Sequence, residues 1–135
     1  MKKDNSSGLG LALLRICASA LMMTHGFGKL QMLLNGGEIE FADPIGVGAK
    51  FSLILAVIGE FVAPVFVILG FKTRWAAIPT IITMIVAAFV IHASDPIGRK
   101  EMALLYLVVF ATIALTGAGK FSLDGAMQKK SPYAG

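Results

Sequence analysis

Residues 9–34, LGLALLRICASALMMTHGFGKLQMLL, decide what kind of protein this is. The run exceeds the about 20 apolar residues that carry a helix across a bilayer. Only Arg15, His25 and Lys29 interrupt it with groups that readily carry a positive charge. A basic N-terminus, MKKDNSS, precedes it as in a signal peptide, but the run is too long for one and no small-residue cleavage site stands before Gln31, so it reads as a retained first span.

The rest of the chain repeats the pattern. Of its 135 residues 56% are hydrophobic and 15% charged, well under the roughly 25% charged of soluble domains. Further apolar runs occupy residues 51–69, 75–91 and 101–116, bounded by Gly, Pro or charge pairs. Four spans leave no room for a second domain. The predicted architecture is all-α: an integral membrane four-helix bundle, up-down-up-down, because the short connection GFKTRW makes spans two and three antiparallel neighbours. The organisation is a polar N-terminal tail at 1–8, a transmembrane domain at 9–124 and a polar C-terminal tail at 125–135.

Orientation follows from the basic residues. Lys2, Lys3, Lys72, Arg74, Lys120, Lys129 and Lys130 fall on the face with both termini, against Lys29, Lys50, Arg99 and Lys100 on the other. The positive-inside rule then places both termini in the cytoplasm. The acidic loop NGGEIEFADPIGVGAK and the HASDPIGRKE connection face outward. The net charge of +4 is spread over span ends with no basic, aromatic-lined stripe, which argues against nucleic acid. A single cysteine, Cys17, excludes an internal disulfide or a CxxC redox pair; within its apolar run it reads as a small packing residue.

An ionised side chain inside the bilayer costs about 2.5 to 3.5 kcal/mol unless paired or hydrated. Arg15 lies roughly 9 Å into span one and Glu60 falls mid-way along span two, so an Arg15 to Glu60 ion pair across the first two helices is expected. His25, roughly 24 Å in, shares its level with Lys29, His92, Asp95 and Glu101. Arg15, His25, Lys29, Glu60, His92 and Glu101 therefore form the candidate polar pocket, with His25, Lys29 and His92 as its ligand-binding members. Gly26 and Gly28 strip bulk from the His25 and Lys29 face, so that a neighbouring backbone can approach closely. The plainer reading is a packing notch with an interfacial histidine and a snorkelling lysine. Met22, Met23, Met32, Met84 and Met102 read as core or lipid-facing filler, and no metal site is assigned to them.

The order and spacing of these segments resemble the DoxX family of small four-helix membrane proteins. The resemblance rests on LLRICASALMMTHGFGKL, IGEFVAPVFVILGFKTRWAA, FVIHASD, the run from Glu101, and GKFSLD at residues 119–124. It covers about residues 9–124 and implies a multi-pass protein of the bacterial inner membrane. Some family members look like subunits of a thiosulfate:quinone oxidoreductase. The resemblance thus implies a redox-linked membrane subunit binding a quinone head group in a polar pocket near the periplasmic side. With no nucleotide fingerprint, haem motif or cysteine pair, such a subunit borrows electrons from a partner, a redox or periplasmic protein; it is an enzyme at most as part of a complex. The alternatives are a non-enzymatic assembly subunit whose outer loop docks a partner, and, third, binding or transport of a metal or small solute through His25, His92 and Glu101. Gly-rich faces in the lipid bilayer also suit a homo-oligomer.

Overall fold

The computed structural model describes residues 2–37, 39 and 41–130, with side chains from 5 to 128 of these. Glu38 and Glu40 of the acidic loop, the tail from 131, and the side chains of Lys2, Lys3, Lys129 and Lys130 lie outside the described set.

The described chain is helical and contains no strand. α1 (Lys2–Asn35) is one helix of 34 residues, so residues 2–8, expected as a separate tail, form its first turns. α2 (Ala49–Val57) passes through a π-helical turn (Ile58–Val62) into α3 (Ala63–Leu69). α4 (Thr73–Val86) likewise ends in a π turn (Ala87–Ile91). α5 (Ile97–Thr116) and the short α6 (Leu123–Lys130) complete the described chain, so α6 takes up the start of the expected C-terminal tail.

Three of these rods, Asn5–Asn35, Ala49–Leu69 and Thr73–Ile91, are long and apolar enough to cross a membrane. α5 differs from the expected fourth span at its start. Pro96 precedes its first residue and Ile97 opens the helix, so Arg99, Lys100 and Glu101 sit inside the first turns; the uncharged part is shorter than the about 20 residues of a full span.

The core runs through the middle of the rods: Met22, Val67, Ala77, Met84, Phe110 and Ile113 are buried together. Met22 and Met84 are thus core, as expected of filler, whereas Met102 is exposed. Leu13, Leu21, Ile82, Phe89, Leu105 and Val108 point outward over the same length, an apolar belt that suits lipid and not water. Cys17 lies on this exposed side. It does not pack in the core as expected, because the inward face of α1 is the Arg15, Ser19, Met22, Gly26 stripe, three or four residues apart.

Gly26 is the point of closest approach. A Cβ there would stand 2.5 Å from the Glu60 carbonyl oxygen, so α1 touches the backbone of the second rod directly. Gly28 meets nothing within 4 Å, which leaves Gly26 alone as the expected notch.

Candidate functional site

The polar residues of the spans gather at two ends of the bundle, not in one pocket. At one end the guanidinium of Arg15, 1% exposed, donates from Nη1 to the carbonyl oxygens of Val67 (2.7 Å) and Ile68, and from Nη2 to that of Phe121 (2.6 Å). The expected Arg15 to Glu60 pair does not form. The physical reason lies at the end of α3, where the helix stops and its last carbonyls keep acceptor capacity that the following turn does not fill; a buried cation fills it and is favoured there by the helix dipole.

That end is closed by Gly70, whose left-handed backbone (φ 70°) terminates α3 with Gly70 N–H on Val67 and Phe71 N–H on Phe66. The carboxylate of Asp124 in α6 then caps α4: it accepts from Lys72 N–H (2.8 Å), Thr73 N–H (2.9 Å) and Thr73 Oγ1 (2.8 Å). Burial alone would push the Asp124 carboxyl up, but the three donors, helped by the nearby Arg15 charge, outweigh it and hold it below the usual carboxylate range.

At the other end Glu60 is 4% exposed and its carboxylate pairs with Lys29. The π turn carries Glu60 to this position. Because Ala63 N–H bonds to Ile58 five residues back, the Gly59 carbonyl is released from the helix, and Thr80 Oγ1 donates to it at 2.6 Å. Glycine is needed at 59, since a Cβ would collide with Thr83 Oγ1. The second π turn ends at His92, whose N–H bonds to Ala87, and His92 Nδ1 lies 2.7 Å from Asp95 Oδ2.

Between these two π turns opens a cleft of about 210 Å³ lined by His25, Glu60, His92, Arg99 and Tyr106, with Met22, Met84 and Met102. His25 stands edge-on to Tyr106, ring centres 5.9 Å apart and planes at 82°. A second, mostly apolar cleft of about 150 Å³ lies on the other side of Glu60 and shares Met84 and Ala87 with the first. Lys29, with Phe41, Pro44 and Ile45 of the loop between α1 and α2, lines it. Asp43 shapes that loop. It accepts from Val47 N–H, Gly48 N–H and Ser52 Oγ, and these bonds, the one from Gly48 foremost, hold its carboxyl below the ordinary range.

Of the sequence-predicted pocket, His25, Glu60 and His92 line the histidine cleft and Lys29 reaches it only through Glu60. Arg15 belongs to the opposite end, and Glu101 is exposed and lines no cleft described here.

A family model for DoxX matches residues 10–93. The chain belongs to the DoxX family. It is 32% identical over 130 residues to an uncharacterised protein of Haemophilus influenzae, covering 89% of this chain and 92% of the relative. It is 29% identical over 134 residues to the inner membrane protein YqjF of Escherichia coli, covering 96% and 99%. No solved structure matches. With its apolar rods, this DoxX-family chain is a multi-pass protein of the bacterial inner membrane.

Sequence reasoning missed two lining residues of the DoxX-family cleft, Arg99 and Tyr106. Tyr106 carried a signal: a hydroxyl inside an apolar run needs a polar neighbour or water. The π turns carried none, because nothing local in IGEFV or AAFVI distinguishes them from α-helix; at the first, Gly59 packs against Thr80 and Thr83. Among the described residues no group of three or more His, Cys, Asp or Glu stands close enough to hold a metal ion. The site's chemistry is instead that of two imidazoles, a phenol and a buried carboxylate, groups able to hold and pass protons beside an apolar slot.

Proposed function

We propose that this DoxX-family protein is a redox-linked membrane subunit that binds a quinone-type head group in the histidine cleft. The observation that carries this reading is the pair of adjoining clefts divided by Glu60, one lined by His25, His92 and Tyr106, the other mostly apolar. An oxygen-bearing ring with an apolar substituent matches that pairing of surfaces. Such a ring accepts electrons and protons at its oxygens when bound. His25 and Tyr106 would donate hydrogen bonds to it, His92 would be oriented by Asp95 on Nδ1, and Glu60 would hold or release a proton at its carboxylate, steadied by Lys29. The chain supplies no electron source of its own, so a redox or periplasmic protein partner delivers the electrons.

In the same reading α5 also crosses the bilayer. Its charged first turns reach the outer boundary, and the bundle is a four-span, up-down-up-down assembly with both termini in the cytoplasm, as the basic residues require. Placing cysteine reporters at the ends of α5 and labelling from each side tests that arrangement; both ends labelled from one side overturns it.

Quinone binding is tested on detergent-purified protein by titrating a short-tailed ubiquinone or menaquinone analogue. Binding at micromolar affinity, weakened at least about tenfold by His25→Ala and Glu60→Gln, is the expected result. No binding by the wild type refutes it. The competing reading, an assembly subunit whose outer loop docks a partner, is favoured by the internal bracing of that loop by Asp43. It predicts that the same substitutions reduce recovery of a complex and leave no separable defect in electron transfer.

A further inference from the structure

At the end opposite the histidine cleft, the described residues line a broad, open hollow of about 580 Å³ that no part of the proposed redox role uses. Lys72, Arg74 and Trp75 line it from the start of α4, Thr116 and Gly117 from the end of α5, and Gln128 from α6. Asp124 also borders it, yet its two oxygens are already taken by Lys72 N–H, Thr73 N–H and Thr73 Oγ1. Neither side-chain cation has a carboxylate partner among the described residues. Lys72 Nζ rests over the ring of Phe71, and the Arg74 guanidinium lies beside Gly117, where a Cβ would come within 3.1 Å of Nε. Trp75 is 76% exposed at the very start of a membrane-crossing helix, the depth at which lipid headgroups meet an indole ring.

Two cations without a carboxylate partner among the described residues, a hydroxyl, an amide and an interfacial tryptophan around one hollow at a membrane edge share a single complementary ligand. We propose that this hollow seats the phosphate headgroup of an anionic phospholipid, with Lys72 and Arg74 on the phosphate and Trp75 against the glycerol and upper acyl region. A soluble phosphate would satisfy the cations but leave Trp75 without a purpose. A lipid uses all three, and basic pockets between helix ends are the usual form of such sites.

Trp75 is the chain's single tryptophan, so its fluorescence reports on this hollow alone. The whole protein is placed in phosphatidylcholine bilayers doped with brominated phosphatidylglycerol or, separately, brominated phosphatidylcholine. Quenching by the anionic lipid is expected at mole fractions about tenfold lower than by the zwitterionic one. In Lys72→Asn/Arg74→Gln the two lipids should quench alike; asparagine tolerates the left-handed backbone at position 72 (φ 47°), and unchanged helical circular dichroism verifies folding. Equal quenching by both lipids in the wild type overturns the proposal, as does a preference that survives in the folded double variant. Loss of the preference on adding millimolar inorganic phosphate at constant ionic strength overturns it in favour of a soluble anion.

Discussion

Arg15 and Asp124 hold the same chain reversal from two sides. The arginine, on α1, donates to the carbonyls of Val67 and Ile68 at the end of α3; the aspartate, on α6, takes the N–H groups of Lys72 and Thr73 that begin α4. Phe121 O ties the two together by accepting from Arg15 three residues before Asp124. Asp124 N–H donates to Gly70 O at 2.8 Å. The first helix and the last thereby lock the turn between the second and third rods. The histidine cleft lies at the other end of the same rods.

Replacing Arg15 should show how much the lock contributes. Arg15→Met removes the donor from the Ile68 and Phe121 carbonyls and leaves Val67 O with the Gly70 N–H alone, and hydrogen bonds to a charged group contribute about 1.5 to 3 kcal/mol each. A loss of about 2 kcal/mol or more in detergent unfolding is expected, while Arg15→Lys, which can reach some of the acceptors, loses less. Equal stability of Arg15→Met and wild type would refute the assignment.

Asp124 makes the lock pH-dependent. Its carboxyl is held below the usual range in the folded protein, so its contribution is fully present above the unfolded value of about 3.9 and is lost as pH falls through the lower folded value. Melting temperature should therefore drop more steeply on acidification for the wild type than for Asp124→Asn. At neutral pH Asp124→Ala should be destabilised by about 1 kcal/mol through loss of the α4 cap.

Gly26 and Gly28 separate packing from mere composition. Gly26→Ala drives a methyl into the Glu60 carbonyl, within 2.5 Å, and forcing the two rods apart costs about 1 to 3 kcal/mol. Gly28→Ala meets open space and should be neutral or stabilising by up to about 1 kcal/mol, from helix propensity. Thermal unfolding of the two variants side by side checks both signs.

Lys29 and Glu60 should respond unequally to deletion. The lysine side chain is 30% exposed and the glutamate 6%. Lys29→Met strands a buried carboxylate, whereas Glu60→Gln leaves a lysine that can snorkel to water. The first should be the more destabilising of the two. The double variant should recover part of the loss, and a double-mutant cycle in detergent that shows no coupling would contradict the pair.

How much of this was legible beforehand divides along physical lines. Helix, membrane and span positions came from composition and the length of apolar runs, because every polar backbone group in lipid must be satisfied within its own helix. The histidine cleft was legible in part for a related reason. Rise per residue is regular, so His25 and His92 could be assigned to one depth, whereas Glu60 falls mid-way along its span and joins them only in the folded structure. Partner choice was not legible. Arg15 and Glu60 looked like mutual partners because depth alone ignores the acceptors that a helix terminus frees, and those exist only where α3 stops at Gly70.

The amino-acid sequence, then, determined by itself that this is an all-α inner-membrane protein of the DoxX family and which buried ionisable groups must find partners. Only the tertiary structure decided which partners they find: backbone carbonyls for Arg15, Lys29 for Glu60, and the N-terminus of α4 for Asp124. The distinction is physical, since insertion energy is a sum over residues along one helix, whereas satisfaction of a buried charge depends on the atoms that other helices bring within about 3 Å of it.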